Sequence, residues 1–149
     1  MRAVKILEPG RIIIDEIDIP APGPHDVVIK VLASGICGTD VHIYKGEYLG
    51  TYPVIPGHEG AGFVESVGAA VSGVKPGDSV AFEPNISCGS CVHCQNNRQN
   101  FCEEWFGIGV TRDGCMAEYV LSPDQNVFNT SGLGPKIACY MEPLSCVIH

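Results

Sequence analysis

The chain has 149 residues and a formal charge of -8, from 9 basic and 17 acidic side chains. The basic residues are scattered, with no stripe to follow a phosphate backbone, which excludes a nucleic-acid role. No run approaches the ~18 apolar residues of a membrane span, and Glu8-Pro9-Gly10 interrupts the apolar N-terminus before a signal-peptide core can form. The expectation is a soluble, cytoplasmic protein with a single domain over residues 1–149.

Residues 2–7 and 12–19 are expected as strands, the second an apolar run passing into alternation at Asp15-Glu16-Ile17-Asp18-Ile19. Pro20-Ala21-Pro22-Gly23-Pro24 is a turn, because three prolines remove three ladder donors. Val27 to Ala33 is rich in β-branched residues and predicts a buried strand. Thr39 is a candidate cap for a helical turn through Tyr44.

A glycine-rich turn then opens a strand over Phe63 to Val67, and Lys75-Pro76-Gly77-Asp78 turns into a strand at Ser79 to Phe82. Cys88 to Cys102 is polar and aperiodic, so it reads as a lobe held by something other than a core. Strand character returns at Cys115 to Leu121 and Asn126 to Phe128. Residues 135–149 look helical, with a break expected at Pro143. Many short strands with Gly and Pro turns predict a mainly β, barrel-type domain.

The 8 cysteines are too few for a disulfide scaffold. In a reducing compartment thiols bind metal or do chemistry. Cys88, Cys91, Cys94 and Cys102 follow the spacing Cys-x2-Cys-x2-Cys-x7-Cys, which can close a tetrahedron of thiolates around a structural zinc. A ferredoxin-type cluster would place its fourth cysteine after three residues and follow it with proline; Glu103 follows here. His93 lies between two of the cysteines and reads as solvent-facing. Cys115, Cys139 and Cys146 read as core-packing residues.

Two further segments carry chemistry. Cys37-Gly38-Thr39-Asp40-Val41-His42 brings a thiol, a hydroxyl, a carboxylate and an imidazole together, and Gly57-His58-Glu59-Gly60 adds a second imidazole beside a carboxylate. The zinc-protease pattern is excluded, because its second histidine would fall on Gly62. Taken singly, His58 is more often a hydrogen-bonded structural residue and Cys37 a small buried hydrophobe.

The two segments and the cysteine lobe, in this order, resemble the zinc-containing medium-chain alcohol dehydrogenases. The Gly-His-Glu-x2-Gly-x5-Gly-x2-Val pattern runs from Gly57 through Gly62 and Gly68 to Val71. The resemblance implies a GroES-like catalytic domain with one catalytic and one structural zinc. By that resemblance Cys37 and His58 are catalytic-zinc ligands, with Glu59 a direct ligand or just behind the metal. Thr39 would receive the substrate proton, His42 pass it to solvent, and Asp40 orient His58. Met141-Glu142-Pro143-Leu144-Ser145 looks like the polyol, butanediol and threonine dehydrogenase branch, where Glu142 takes the place of a cysteine ligand. A carboxylate is more easily displaced by a chelating diol or amino alcohol.

No Gly-x-Gly-x-x-Gly between a strand and a helix is present; Gly107-Ile108-Gly109 is followed by Val110-Thr111-Arg112. The resemblance places the NAD(P)-binding Rossmann domain beyond this chain, with residues 135–149 beginning the helix that leads to it, and implies a homo-oligomer when full length. Two readings stand: the catalytic domain of a zinc-dependent NAD(P) alcohol or polyol dehydrogenase, expected not to turn over alone, or a non-catalytic zinc-binding module from a truncated dehydrogenase gene.

Overall fold

The computed structural model describes residues 1–148. Strands β1 (Arg2–Glu8) and β2 (Arg11–Glu16) form an antiparallel hairpin in which Val4 faces Ile14 and Lys5 faces Ile13. The hairpin turns at Gly10, whose φ of +78° lies in the left-handed region where glycine carries no steric cost. The strand expected through residue 19 ends at Glu16. Its partner runs out there: the Met1 ammonium donates to Ile17 O at 2.6 Å, and Asp18 has nothing left to pair with.

The main sheet has five antiparallel strands in the order β8-β3-β4-β5-β9. Its centre is β3 (Asp26–Ser34) against β4 (Gly60–Val67). Beyond them lie β5 (Ser79–Phe82), β8 (Tyr119–Pro123) and β9 (Val127–Asn129). Two-residue strands β6 (Asn85–Ile86) and β7 (Phe106–Gly107) pair with each other, one on either side of the cysteine lobe.

Three strand expectations need correction. Only Val27, Val28 and Ile29 of β3 are fully buried; β8 flanks the strand from Asp26 to Lys30, and beyond that β3 alternates. The glycines expected as a turn before Phe63 belong to β4. A Cβ on Gly62 would run into the Lys30 carbonyl, so glycine lets the strands close where their register shifts between Val31 and Ala33. The strand expected from Cys115 starts at Tyr119, because Met116 and Ala117 turn to β1 instead: Val4 N–H donates to Met116 O at 2.8 Å.

The described residues also form four short α-helices: α1 (Gly38–Lys45), α2 (Val92–Gln95), α3 (Pro135–Ala138) and α4 (Met141–Ile148). The break in the C-terminal helical stretch falls at Cys139-Tyr140, not at Pro143. Pro143 is the third residue of α4, in the first turn, where a backbone N–H has no helical partner to lose. His149 lies outside the described residues.

One apolar cluster joins Val27 and Ile29 (β3), Val64 (β4), Val80 and Phe82 (β5), Val120 (β8) and Val127 (β9) with Ile108 and Cys115. Each such aliphatic or aromatic side chain contributes roughly 1.5–3 kcal/mol on burial. A second cluster of Ile6, Ile43, Val54 and Val110 seats α1 against the N-terminal hairpin. A third, of Ala61, Ala81 and Ala138, docks α3 on β4 and β5. Small residues there let the helix backbone approach the sheet. The result is a mainly β domain with no parallel βαβ unit among the described residues.

Candidate metal centres

Cys37 is the N-cap of α1, so its side chain leaves the chain where β3 has ended and the helix begins. Thr39, expected as the cap, is the second residue of the helix. Asp40 does the capping in reverse: its Oδ2 accepts the Cys37 N–H at 2.8 Å. The other oxygen, Oδ1, accepts the N–H of Gly57 at 3.0 Å. One buried carboxylate therefore ties the Cys37 segment to the His58 segment. Gly57 itself has φ +96°, and a Cβ there would strike the backbone of Met116. Only glycine fits.

His58 is 7% exposed, and its Nδ1 sits 3.5 Å from Asp40 Oδ1. That is a long charge-assisted contact, and no atom meets hydrogen-bond geometry with Nδ1. Burial disfavours the imidazolium, but the acceptors on Asp40 and Cys37 outweigh it and hold the His58 pKa up at about 9. Cys37 Sγ lies 3.7 Å from Thr39 Oγ1. One donor atom each from Cys37, His58 and Glu59 lie within 4.8 Å of one another. A thiol, an imidazole and a carboxylate drawn together, with no lysine or arginine paired to them among the described residues, suit a divalent cation.

Thr39 and His58 line a cleft of about 150 Å³ with Tyr48, Asn85, Trp105, Ile108, Val110 and Glu142. Glu142, near the start of α4, faces the cleft but lies outside the three-residue cluster. Burial raises its pKa. Tyr48, Asn85 and Trp105 also border a wider recess of about 800 Å³ that ends at Glu83, Ser145 and Cys146. His42 is solvent-exposed on α1, its Nδ1 2.9 Å from Glu47 Oε2.

Sequence reasoning missed Tyr48, Asn85 and Trp105, which belong to no motif. Trp105 donates its indole N–H to Asn85 Oδ1 at 3.0 Å, a pairing across 20 residues that nothing in the sequence announces. Cys146, expected in the core, is exposed, its Sγ 3.5 Å from Glu142 Oε1. Cys139 is half-buried against the Ala61/Ala81/Ala138 cluster, and Cys115 is fully buried, where burial pushes its thiol up to about 12.

In the lobe, the sulfurs of Cys88, Cys91, Cys94 and Cys102 lie within 4.8 Å of one another and form no disulfide. Cys88 Sγ and Cys94 Sγ are 3.9 Å apart. A tetrahedron with metal–sulfur bonds of ~2.3 Å has edges of about 3.8 Å, so the set fits zinc. Backbone N–H groups already point at the sulfurs: Cys91 N to Cys88 Sγ at 3.3 Å and Cys88 N to Cys102 Sγ at 3.2 Å. Donors from Ser90 and Cys91 draw the Cys88 pKa down to about 6, whereas burial raises that of Cys94. His93 is half-exposed, 4.0 Å from Glu103.

Residues 23–132 match the alcohol dehydrogenase GroES-like domain. The chain belongs to that family. It is 45% identical over 134 residues to the L-threonine 3-dehydrogenase of Pyrococcus furiosus, covering 87% of this chain and 38% of that protein. Among solved structures, an alcohol dehydrogenase of Escherichia coli CFT073 complexed with NADH superposes with TM-score 0.93 at 34% identity, over 99% of this chain and 44% of the other. A cobalt- and zinc-bound thermostable alcohol dehydrogenase of Pyrobaculum aerophilum gives 0.85 at 33% identity, over 95% and 43%. This GroES-like chain thus spans about two fifths of the relatives it matches. None of its described helices is long and apolar enough to cross a membrane.

Proposed function

We propose that this chain is the alcohol-activating part of a zinc-dependent dehydrogenase that passes hydride to NAD(P) held by a segment outside it. The observation that carries the reading is the Cys37/His58/Glu59 donor set, whose His58 lines a cleft together with Thr39 and Glu142. Cys37 and His58 hold the metal, with Glu59 or Glu142 as the carboxylate partner. The relatives support NAD(P) as the acceptor and a small hydroxylated substrate. The amino-alcohol chemistry of the threonine dehydrogenases falls within the polyol, vicinal-diol and amino-alcohol class that the Glu142 segment implies.

Zinc held at this site supplies a Lewis acid that lowers the pKa of an alcohol hydroxyl. Asp40 stands beside His58 Nδ1 and, by accepting the Gly57 N–H, holds the backbone that carries the ring. Thr39 offers a hydroxyl in the cleft to accept the substrate proton. His42 lies three residues further on the same helix, hence on the same face, and opens to water beside Glu47. A proton handed to Thr39 leaves by that route. Trp105, Ile108 and Val110 supply apolar wall beside the polar groups of Tyr48, Asn85 and Glu142.

The four lobe cysteines hold a second, structural zinc, and α3 and α4 begin the stretch leading to the cofactor domain. Exposed Leu144 and Val147 on α4, with Ile14 on β2, support burial against other domains or subunits in a homo-oligomer. Elemental analysis and NADH formation test the reading. Two zinc per chain, and threonine- or diol-dependent reduction of NAD(P) by the full-length protein, are expected. A single zinc unaffected by Cys37→Ser leaves only the non-catalytic module.

A further inference from the structure

Glu59 is the least settled of the three clustered residues. Its carboxylate is half-buried, yet among the described residues no lysine, arginine or hydrogen-bond donor reaches it. What holds it in place is space. Gly35 closes β3 into the Cys37 segment, and its N–H donates to Glu59 O at 2.8 Å. A Cβ built on Gly35 would fall onto Glu59 Oε2, and would stand 3.0 Å from both Glu59 Cβ and Cδ. All three of the nearest atoms belong to that one side chain. The carboxylate therefore lies folded against the bare Cα of Gly35, on the side from which it joins Cys37 and His58.

We propose that Gly35 is a positioning residue for the metal centre, whose missing side chain is the seat of the Glu59 carboxylate. This rests on the metal reading of Cys37 and His58. Two features separate it from an ordinary backbone requirement. Gly35 does not have the left-handed φ of Gly57 or Gly10, so alanine meets no conformational strain there. No main-chain or core atom is among its nearest neighbours, in contrast to Gly62, whose Cβ would meet the Lys30 backbone. A methyl group at position 35 is accommodated by turning the Glu59 carboxylate away, with a shift of a few tenths of an ångström between the two Cβ atoms, and the fold is kept while the carboxylate leaves the cluster. Gly35→Ala thus has the effect of deleting the carboxylate without touching residue 59.

The test is a Co²⁺ titration of the chain carrying zinc in its cysteine lobe, read by the visible absorption of the thiolate-bound ion. Wild type, Gly35→Ala, Glu59→Gln and the double variant are compared, with thermal unfolding of each as the control for folding. Gly35→Ala is expected to weaken Co²⁺ binding ten- to a hundred-fold, the range for losing one oriented group at a metal site. It should also shift the absorption band as Glu59→Gln does. The double variant should lose no more than either single one. Wild-type affinity and spectrum in Gly35→Ala overturn the proposal and leave the metal site standing. Additive losses in the double variant overturn it as well, since position 35 then acts through something other than Glu59. If the wild-type chain takes up no Co²⁺ that Cys37→Ser abolishes, the metal reading itself fails.

Discussion

Replacing Asp40 probes the junction on which the Cys37 and His58 segments depend. Asp40 is 6% exposed and accepts two backbone N–H bonds, from Cys37 at 2.8 Å and from Gly57 at 3.0 Å. Hydrogen bonds to a charged acceptor contribute about 1.5–3 kcal/mol each. Asp40→Ala removes both acceptors and leaves the Gly57 donor buried, so the metal-free protein should lose about 3–6 kcal/mol. At roughly 2–4 °C per kcal/mol for a chain of this size, Tm falls by at least ~6 °C. Asp40→Asn keeps one oxygen but turns an amide N–H₂ towards the other donor, so it should lose about half as much.

The same substitution has a signature in pH. His58 has a folded pKa of about 9 against an ordinary 6.5, and Asp40 is the strongest of the groups that raise it against burial. A raised pKa contributes stability that is complete below 6.5 and lost as pH rises through about 9. Urea unfolding of the metal-free chain should therefore weaken between pH 6.5 and 9 in the wild type, and this slope should flatten in Asp40→Asn. Equal midpoints for wild type and Asp40→Ala at pH 6, with parallel pH slopes, would refute the junction.

Other outcomes follow from the same geometry. Cys94→Ser should make residues 88–102 sensitive to limited proteolysis while the sheet stays protected, since metal binding in small zinc domains contributes ~10 kcal/mol or more. Gly57→Ala, at φ +96° and against the Met116 backbone, should destabilise the fold by more than ~1 kcal/mol in urea unfolding, through strain that no rotamer relieves. Cys115, whose buried thiol is pushed up to about 12, should resist alkylation at pH 8 in the native chain and react once urea unfolds it. In the full-length enzyme, Thr39→Val should depress turnover far more than zinc content, which kinetics and elemental analysis on one preparation will separate.

The strands that the sequence announces clearly are those with a β-branched run, such as Val27 to Val31, or behind a plain turn signal, such as Ser79 to Phe82 after Lys75-Pro76-Gly77-Asp78. Register and ends escape it because they depend on the partner: β2 stops where β1 has no more residues, and β4 begins on glycines because Phe82 and Cys115 crowd Gly60 and the Lys30 backbone crowds Gly62. β6 and β7, two residues each, carry no periodicity at all. At the site, motif spacing points to Cys37, His58, Glu59 and the lobe cysteines, and each set lies together in space. Hydroxyls are the usual caps, which points to Thr39 for α1, whereas here Asp40 folds back to Cys37. Cys146 is exposed despite the general preference of free thiols for burial, because α4 turns its apolar side chains outward.

The narrow neck of the cysteine lobe separates two kinds of cohesion within one short chain. Residues 88–102 leave and re-enter the sheet through Asn85-Ile86 and Phe106-Gly107, two antiparallel rungs braced by the Trp105–Asn85 contact. Everything beyond those rungs depends on four sulfurs, and nearly everything before them on packed hydrocarbon. An insertion, a deletion or an exchanged loop between the rungs therefore alters the lobe without re-registering a single strand of the main sheet. The lobe is a cassette, free to change in length and composition while the floor of the cleft, built from Ile108 and Val110, stays where it is.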